Sequence, residues 1–263
     1  MFLFEIAIPS FNREIIIKER TLKLLELYQF NKKRIRIFVQ SKEMRQKYID
    51  SIGDEYNFEI TGCSGICETR NFLRSYYHES ADPLFKGVLF MDDDIEQFNE
   101  LSDSGELLPV KDFDRCLEDM FVEVQRRGLR LFGPSAYNNN FYMKNKISQN
   151  LKYIVGAFCG LIIDSNKDLI HCDVDHGEDF QFTMEHFLAD GGVVRFEKFS
   201  IKTKYFEQVG GICESLGGLA LRKVNMEVNC KYLVDRYNGM CILKIKSYGY
   251  DIRLNYRYKN EIS

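Results

Sequence analysis

The chain is poor in the features that would divide or anchor it. No stretch rich in proline, glycine and serine marks a linker, so the 263 residues read as one unit. No low-complexity tract and no fixed-period repeat is present, which argues against disorder and against a repeat architecture. The longest apolar-rich run, Tyr153 to Asp164, is too short to span a bilayer. The opening MFLFEIAIPS has no basic n-region and is broken by Glu5 and Pro9, so it reads as a first strand rather than a signal peptide. No CxxC pair occurs among the eight cysteines Cys63, Cys67, Cys116, Cys159, Cys172, Cys213, Cys230 and Cys241, which argues against a zinc ribbon or a redox dithiol. Most stand in apolar segments, where a thiol acts as a small hydrophobe, and a reducing cytoplasm is the expected compartment.

What is present is ordinary in bulk and uneven in detail. Hydrophobic residues make up 45% and charged residues 29%, as in a soluble globular protein. The net charge is only −3. Yet Lys86 to Asp119 holds three basic and eleven acidic residues, net −8, as an acidic surround for a cation would. Lys198 to Ser263 holds twelve basic and six acidic residues, net +6, either a solvated basic surface or a face for a polyanion. Its end interleaves Tyr248, Tyr250, Arg253, Tyr256, Arg257, Tyr258 and Lys259, a pattern that lets cations follow phosphates while rings stack on bases. Edge-strand tyrosines on a soluble surface would look the same.

The first half alternates strand and helix patterns. Strands are predicted at FEIAIPS, RIRIFVQS, YNFEIT and GVLFMDD, the last apolar on both faces. Helices are predicted at IIIKERTLKLLELY, around Glu43 to Ile49, and at ICETRNFLRSYYHES. Such a series suits a parallel sheet covered by helices on both sides. A polar loop holding Pro109 follows. DFDRCLEDMFVEVQRRG then reads as a helix capped by Asp112 and stopped at Gly128. LRLFGPS, KYIVGAFCGLIID, VVRFEKFSIKTKYF and CILKIKSY read as strands, the second with glycines where backbones approach closely. Helices are expected from Glu178-Asp179 to Gly191-Gly192 and over most of Leu216 to Tyr237.

Three clusters carry chemistry. Strand VLFM runs directly into Asp92, Asp93 and Asp94. Ligands of open α/β sheets bind at the carboxyl ends of strands, so these acids stand where a ligand would sit. Crowded carboxylates resist ionising together, and a hard divalent cation such as Mg²⁺ or Mn²⁺ removes the conflict. Side chains alternate along an extended backbone, so Asp92 and Asp94 share a face and Asp93 points away. A solvated acidic turn is the bland alternative; the buried strand before it favours a site. Glu178-Asp179 opens a helix after a loop crowded with Asp173, Asp175 and His176, and a carboxylate held there suits a general base. GICETRN, Gly65 to Asn71, feeds a helix start whose N–H groups, with Arg70, suit phosphate.

In order, IPSFNR, GICETRN, VLFMDDDI, FCGLIID and HGEDFQFTM resemble a GT-A glycosyltransferase, in particular the large inverting family with an ARN, LDxDD, ED progression, over roughly residues 4 to 212. IPSFNRE, TRN, FMDDDI and HGEDFQF look most like the phage glycosyltransferases associated with TET-type dioxygenases and related to the base J glucosyltransferase. The resemblance implies an α/β, GT-A-like (Rossmann-related), mostly parallel central sheet flanked by helices, with a smaller mixed α+β C-terminal part on the acceptor side. It implies a nucleotide-sugar-binding half at 1–97 and an acceptor-binding, catalytic half at 98–263. It further implies transfer of a sugar from a nucleotide-sugar donor, UDP-glucose by default, to a hydroxymethylated pyrimidine in DNA, with Mn²⁺ or Mg²⁺, in the host cytoplasm if phage-encoded.

Roles follow residue by residue from the same resemblance. Asp92 and Asp94 match the DxD motif, Asp94 as the direct metal ligand and Asp92 nearer the ribose or a metal-bound water, with Asp93 between them at the cofactor. Asp179, with Glu178, matches the ED motif and its catalytic base. Pro9, Ser10 and Arg13 match the loop that meets the nucleotide, and Arg70 and Asn71 the donor contacts. Gln40 stands where many relatives carry an acid, which puts nucleobase contacts in doubt. His176 is the candidate third metal ligand, with a helix-cap role as its alternative. A glycan, lipid or protein acceptor, a metal-dependent nucleotidyltransferase or nuclease, and a non-catalytic binding module remain alternatives.

Overall fold

The computed structural model describes residues 2–79, 84–203, 219–247 and 249–259. Cys213, Tyr248 and the end of the VVRFEKFSIKTKYF strand lie outside the described residues. One ten-stranded sheet organises the chain. Its first half is β1 (Phe4–Pro9), β2 (Ile35–Val39), β3 (Asn57–Ile60) and β4 (Gly87–Met91), all parallel in the order β3-β2-β1-β4. The sheet continues through β9 (Phe158–Ile162), β7 (Leu131–Ser135), β10 (Val194–Thr203), β5 (Ile95–Leu101) and β6 (Leu107–Pro109), with β8 (Ile147–Ser148) beside β10. Of these later pairings only β7 with β10 is parallel. The expected α/β architecture, a large central sheet with helices packed against both of its faces, is thus observed.

Alternation along the strands sorts side chains onto two faces. Phe4, Ile6 and Ile8 of β1 and Leu89 and Met91 of β4 enter one core, with Ile17, Leu22, Leu24, Tyr48 and the stripe Phe113, Leu117, Met120 and Val124. Ala7, Val88 and Phe90 enter the other, with α4, α6 and the C-terminal elements. Each buried Val, Leu, Ile, Phe or Met among them contributes about 1.5–3 kcal/mol of transfer free energy. In the first core Phe98 stacks on Phe158 at 4.9 Å and Phe199 at 5.6 Å, fastening β5, β9 and β10 together.

The helices are α1 (Glu14–Ile17), α2 (Lys23–Leu27), α3 (Lys42–Ile52), α4 (Ile66–Glu79), α5 (Phe113–Arg126), α6 (Glu178–Asp190) and α7 (Leu219–Arg236). Asp112 caps α5 as predicted, accepting from Arg115 N at 3.0 Å, and Gly191 ends α6 in the left-handed conformation at φ 78°. Helix α7 and the hairpin of β11 (Cys241–Lys246) and β12 (Gly249–Leu254) pack Cys230, Leu233, Ile252 and Leu254 onto the second core.

Four local expectations are corrected. The helix predicted over IIIKERTLKLLELY is split by a π turn at Lys18–Leu22, which rotates Thr21 toward the sheet's carboxyl edge. The polar loop holding Pro109 contains β5, whose outward positions carry Glu96 and Glu100, and the three-residue β6, too short to show a period. The strand expected from Lys152 is β only at Phe158–Ile162, because Tyr153 to Ala157 turn along the carboxyl edge. For α6 the sequence spacing predicts a buried stripe of Phe180, Met184, Phe187 and Leu188, which is too narrow: besides Met184 and Phe187 the helix buries Glu178, Gln181, Phe182, Thr183 and His186, so little of it faces water.

Candidate active site

A cavity of about 950 Å³ opens along the carboxyl edge of the sheet, where β1 and β4 end. The β11–β12 hairpin forms its opposite wall through Lys244, Lys246, Arg253 and Leu254. Among the predicted residues, Pro9, Ser10, Arg13, Gln40, Arg70, Asp92, Asp93, Asp94, His176, Glu178 and Asp179 all line it.

The aspartates divide as alternation requires. Asp92 continues the face of Val88 and Phe90 and accepts from Arg70 Nη2 at 2.9 Å. Asp93 continues the face of Met91, is buried, and accepts from Ser10 Oγ at 2.5 Å and Arg13 Nη1 at 3.1 Å. Asp94 accepts from Thr203 Oγ1 at 2.7 Å. The Asp92 side chain is 32% exposed and that of Asp94 13%, against 5% for Asp93. Asp93 therefore anchors the loop after β1 rather than reaching a ligand. Burial pushes the Asp93 carboxyl up to about 7, against the opposing pull of Arg13. Asp92 is raised by burial too, with Asp94 adding repulsion and Arg70 opposing.

Thr21 stitches the acidic turn shut. Its hydroxyl donates to Asp92 O at 2.8 Å and accepts from Ile95 N at 2.9 Å. Tyr48, fully buried, shares a 2.6 Å hydrogen bond with Ser10 Oγ and accepts from Arg13 N at 2.9 Å.

On the other side Glu178 and Asp179 part company. Glu178 is buried and paired with Arg70 and with Arg74 Nη2, the latter at 3.1 Å. Both its oxygens are thereby spent on cations, so Glu178 is a structural counter-charge rather than a proton acceptor. Arg70 joins Asp92 to Glu178. Burial alone would lower its pKa, but Glu178 and Asp92 hold it well above the ordinary arginine value. Asp179 turns into the cavity, where Tyr153 donates to Oδ2 and Gly156 N approaches the same oxygen at 3.3 Å. Burial first, and then Glu178, push its carboxyl up to about 6. Gly156 makes this possible: a Cβ there would collide with the Arg70 guanidinium and lie 3.0 Å from Asp179 Cβ.

Two expectations about α4 fail for one reason. Its amino end is occupied by Asp175, which accepts from Cys67 N at 3.3 Å, while Glu68 takes Ser64 N at 2.7 Å. Those N–H groups are satisfied within the protein instead of being offered to phosphate. Asn71 does not line the cavity; it donates to Cys172 O at 2.8 Å and accepts from Cys172 N at 2.9 Å, holding the loop before α6. Gln40 lies on the cavity wall and donates to Ser64 Oγ at 3.2 Å.

Thr21, Tyr48, Tyr153, Gly156 and Thr203 belong to the site and were not assigned to it from sequence. Only the glycine left a signal, in a run where close backbone approach was expected. The others are single hydroxyls in apolar or mixed segments.

Among the described residues no group of three or more His, Cys, Asp or Glu side chains is arranged to hold a metal ion by itself. The donor set still fits a hard divalent cation: Asp92 and Asp94 present carboxylate oxygens to the cavity, and Mg²⁺-type ions take one or two carboxylates and complete their shell with substrate phosphate and water. Oδ2 of Asp92 makes no hydrogen bond with a described residue. The seven described cysteines are free, five of them buried, and burial pushes the Cys159 thiol up to about 12. No described helix is long and apolar enough to cross a membrane.

No family model and no curated protein matches the sequence. Solved structures superpose on the chain, one of them with a TM-score above 0.5. A crystal structure of a mycobacterial protein superposes with a TM-score of 0.51 at 8% identity, over 96% of this chain and 83% of that one. Glucosyl-3-phosphoglycerate synthase from Mycobacterium tuberculosis, in complex with Mn²⁺, uridine diphosphate and phosphoglyceric acid, gives 0.49 at 9% identity over 97% and 87%. A mannosyltransferase from Pyrobaculum calidifontis, in complex with GDP-mannose and Mn²⁺, gives 0.48 at 11% identity over 89% and 64%.

Proposed function

We propose that this chain is a metal-dependent glycosyltransferase that moves a sugar, glucose from UDP-glucose in the first instance, onto the hydroxymethyl group of a modified pyrimidine in DNA. The observation that carries the reading is the meeting, in one cavity, of the Asp92 and Asp94 carboxylates after the end of β4 with Asp179 at the start of α6. Residues 1–97 then supply the donor side and 98–263 most of the acceptor side.

Asp92 and Asp94 would hold the cation, with His176 on the same cavity wall as a third candidate ligand. When bound, Mn²⁺ or Mg²⁺ supplies positive charge that neutralises the diphosphate leaving group. The protein's own part begins with Arg13 beside Asp93 and Asp94, which places a guanidinium on the donor side of the cavity. Arg70 fixes the directions of Asp92 and Glu178 and so sets the distance between donor and acceptor sides. Asp179 takes the acceptor's hydroxyl proton. The hydroxyl oxygen forms a bond to the anomeric carbon, the bond from that carbon to the phosphate oxygen breaks, and the nucleoside diphosphate leaves with the electron pair. One displacement inverts the anomeric centre. A base with a pKa near 6 is matched to work near neutrality.

The test is mass spectrometry of nucleosides from hydroxymethylcytosine and hydroxymethyluracil DNA incubated with the protein, mixed sugar nucleotides and Mn²⁺. A hexose or pentose mass on the modified base, lost with Asp94→Ala, is expected. Transfer to free oligosaccharide alone would replace the acceptor. Strand cleavage with no sugar incorporated would replace the reaction class.

A further inference from the structure

Beyond β7 the chain makes a short loop that exposes three aromatic rings. Phe141 is 81% exposed, Tyr142 58% and Tyr137 52%. Tyr137 and Tyr142 lie 5.4 Å apart between centroids, and Phe141 and Tyr142 5.1 Å. Three large rings facing water, two of them packed against Tyr142, form the kind of apolar patch that marks an interaction surface. The loop holding them is fixed: Asn139 Oδ1 accepts from Phe141 N at 3.0 Å, and the Asn140 side chain donates to Gly105 O at 2.8 Å. The row also leads into the cavity, because Tyr137 lines it.

Positive charge follows directly along the chain. Lys144 and Lys146 are exposed, and their backbones bracket Glu197 of β10, with Lys144 N donating to Glu197 O at 3.3 Å and Glu197 N donating to Lys146 O at 3.0 Å. Lys152 and Arg195 stand behind them. Lys152 sits 4.2 Å above the ring of Tyr256, which also lines the cavity. Arg195 is buried and donates to Glu197 at 2.7 Å, while its Nε and Nη1 find no hydrogen-bond partner among the described residues. Burial, Arg195, Lys146 and Lys144 together depress the Lys152 pKa against Glu197, so this corner carries more positive charge than its one acid balances. A partner that suits it brings flat rings and repeated negative charge at once.

We propose that Tyr137, Tyr142 and Phe141, with Lys144 and Lys146 beside them, form the platform on which the acceptor nucleic-acid strand rests next to its target base. Bases stack on the rings and phosphates run along the lysines. The inference rests on the reading of DNA as the acceptor and adds to it the surface that holds the strand. It is separate from the C-terminal tyrosines and cations to which the sequence pointed.

The experiment uses the full chain and a fluorescein-labelled oligonucleotide containing one hydroxymethylated pyrimidine. Phe141→Ala and Tyr142→Ala should each raise Kd about tenfold. Tyr142→Phe, which keeps the ring, should bind as the parent does. Lys144→Ala with Lys146→Ala should lower the slope of log Kd against log salt by about two units, one per phosphate contact. KM for the oligonucleotide should rise in the ring variants while transfer to the free hydroxymethyl nucleoside stays at the parent rate, because Phe141 and Tyr142 do not line the cavity. If the parent binds DNA and the ring variants bind it equally well, the platform is wrong and the acceptor reading stands. If the parent binds no DNA, both are wrong. A dimer seen by sedimentation in the parent and lost with Phe141→Ala would assign the rings to a second copy of this chain instead.

Discussion

At the scale of the residue, two adjacent carboxylates do opposite work because their surroundings differ. Glu178 meets two arginines and stays a counter-ion, while Asp179 meets a phenol, a backbone N–H and open cavity. Replacing Asp179 with Asn should cut kcat about 10²–10⁴-fold with the fold intact. In the parent, kcat/KM should climb as pH rises through about 6 and then level off, because the base works only when deprotonated. A variant that keeps full activity, or a parent profile flat from pH 5 to 8, would remove Asp179 from the chemistry. The acidic trio and the Glu-Asp pair were legible because charge at a strand end or helix start is conspicuous. Their positioning partners were not. Nothing in a sequence separates Thr21, a hydroxyl on an apolar helix face, from any other core threonine, and the role of Asn71 depends on a loop a hundred positions away.

At the scale of the element, the π turn at Lys18–Leu22 deserves a physical account. Thr21 lies within the wider turn, and its hydroxyl meets both Asp92 O and Ile95 N. Thr21→Val keeps the shape, removes both hydrogen bonds, and leaves a buried N–H and C=O unpaired. Stability should fall by about 1–3 kcal/mol in urea denaturation. An unchanged midpoint would mean that the turn holds itself. Strands β1, β2 and β4 were readable from their apolar runs, since they are buried along nearly their whole length. Strand β5 was not, because it lies toward the sheet edge and spends outward positions on Glu96, Gln97 and Glu100, and β6 is only three residues long. Helix α6 escaped its stripe for the opposite reason, being packed on nearly every side.

At the scale of the whole molecule, opposite pH dependences are built into one fold. His186 is 1% exposed, and burial brings its pKa down to about 4, against the pull of Asp190. Its folded value lies below the unfolded one, so the unfolded chain binds more protons between about pH 6.5 and 4, and acid costs stability across that window, by about 3 kcal/mol in all. Asp93 and Asp179 run the other way: their folded values lie above the unfolded ones, so their burial is cheapest in acid. The stability difference between the parent and His186→Gln should therefore shrink or reverse as pH drops from 6.5 to 4, read by denaturant midpoints. A constant difference would show that the imidazole does not titrate as its burial dictates. The order of the sheet has a further consequence for how the protein is made. Strand β10 lies between β7 and β5, yet both neighbours leave the ribosome before it. Until Val194 to Thr203 has emerged, a nascent chain carries two raw strand borders with their N–H and C=O groups bare, open to pairing with a stranger. Translation that halts anywhere short of that point yields a product prone to clump, and successful synthesis depends on a gap filled late by insertion, a slow non-local event.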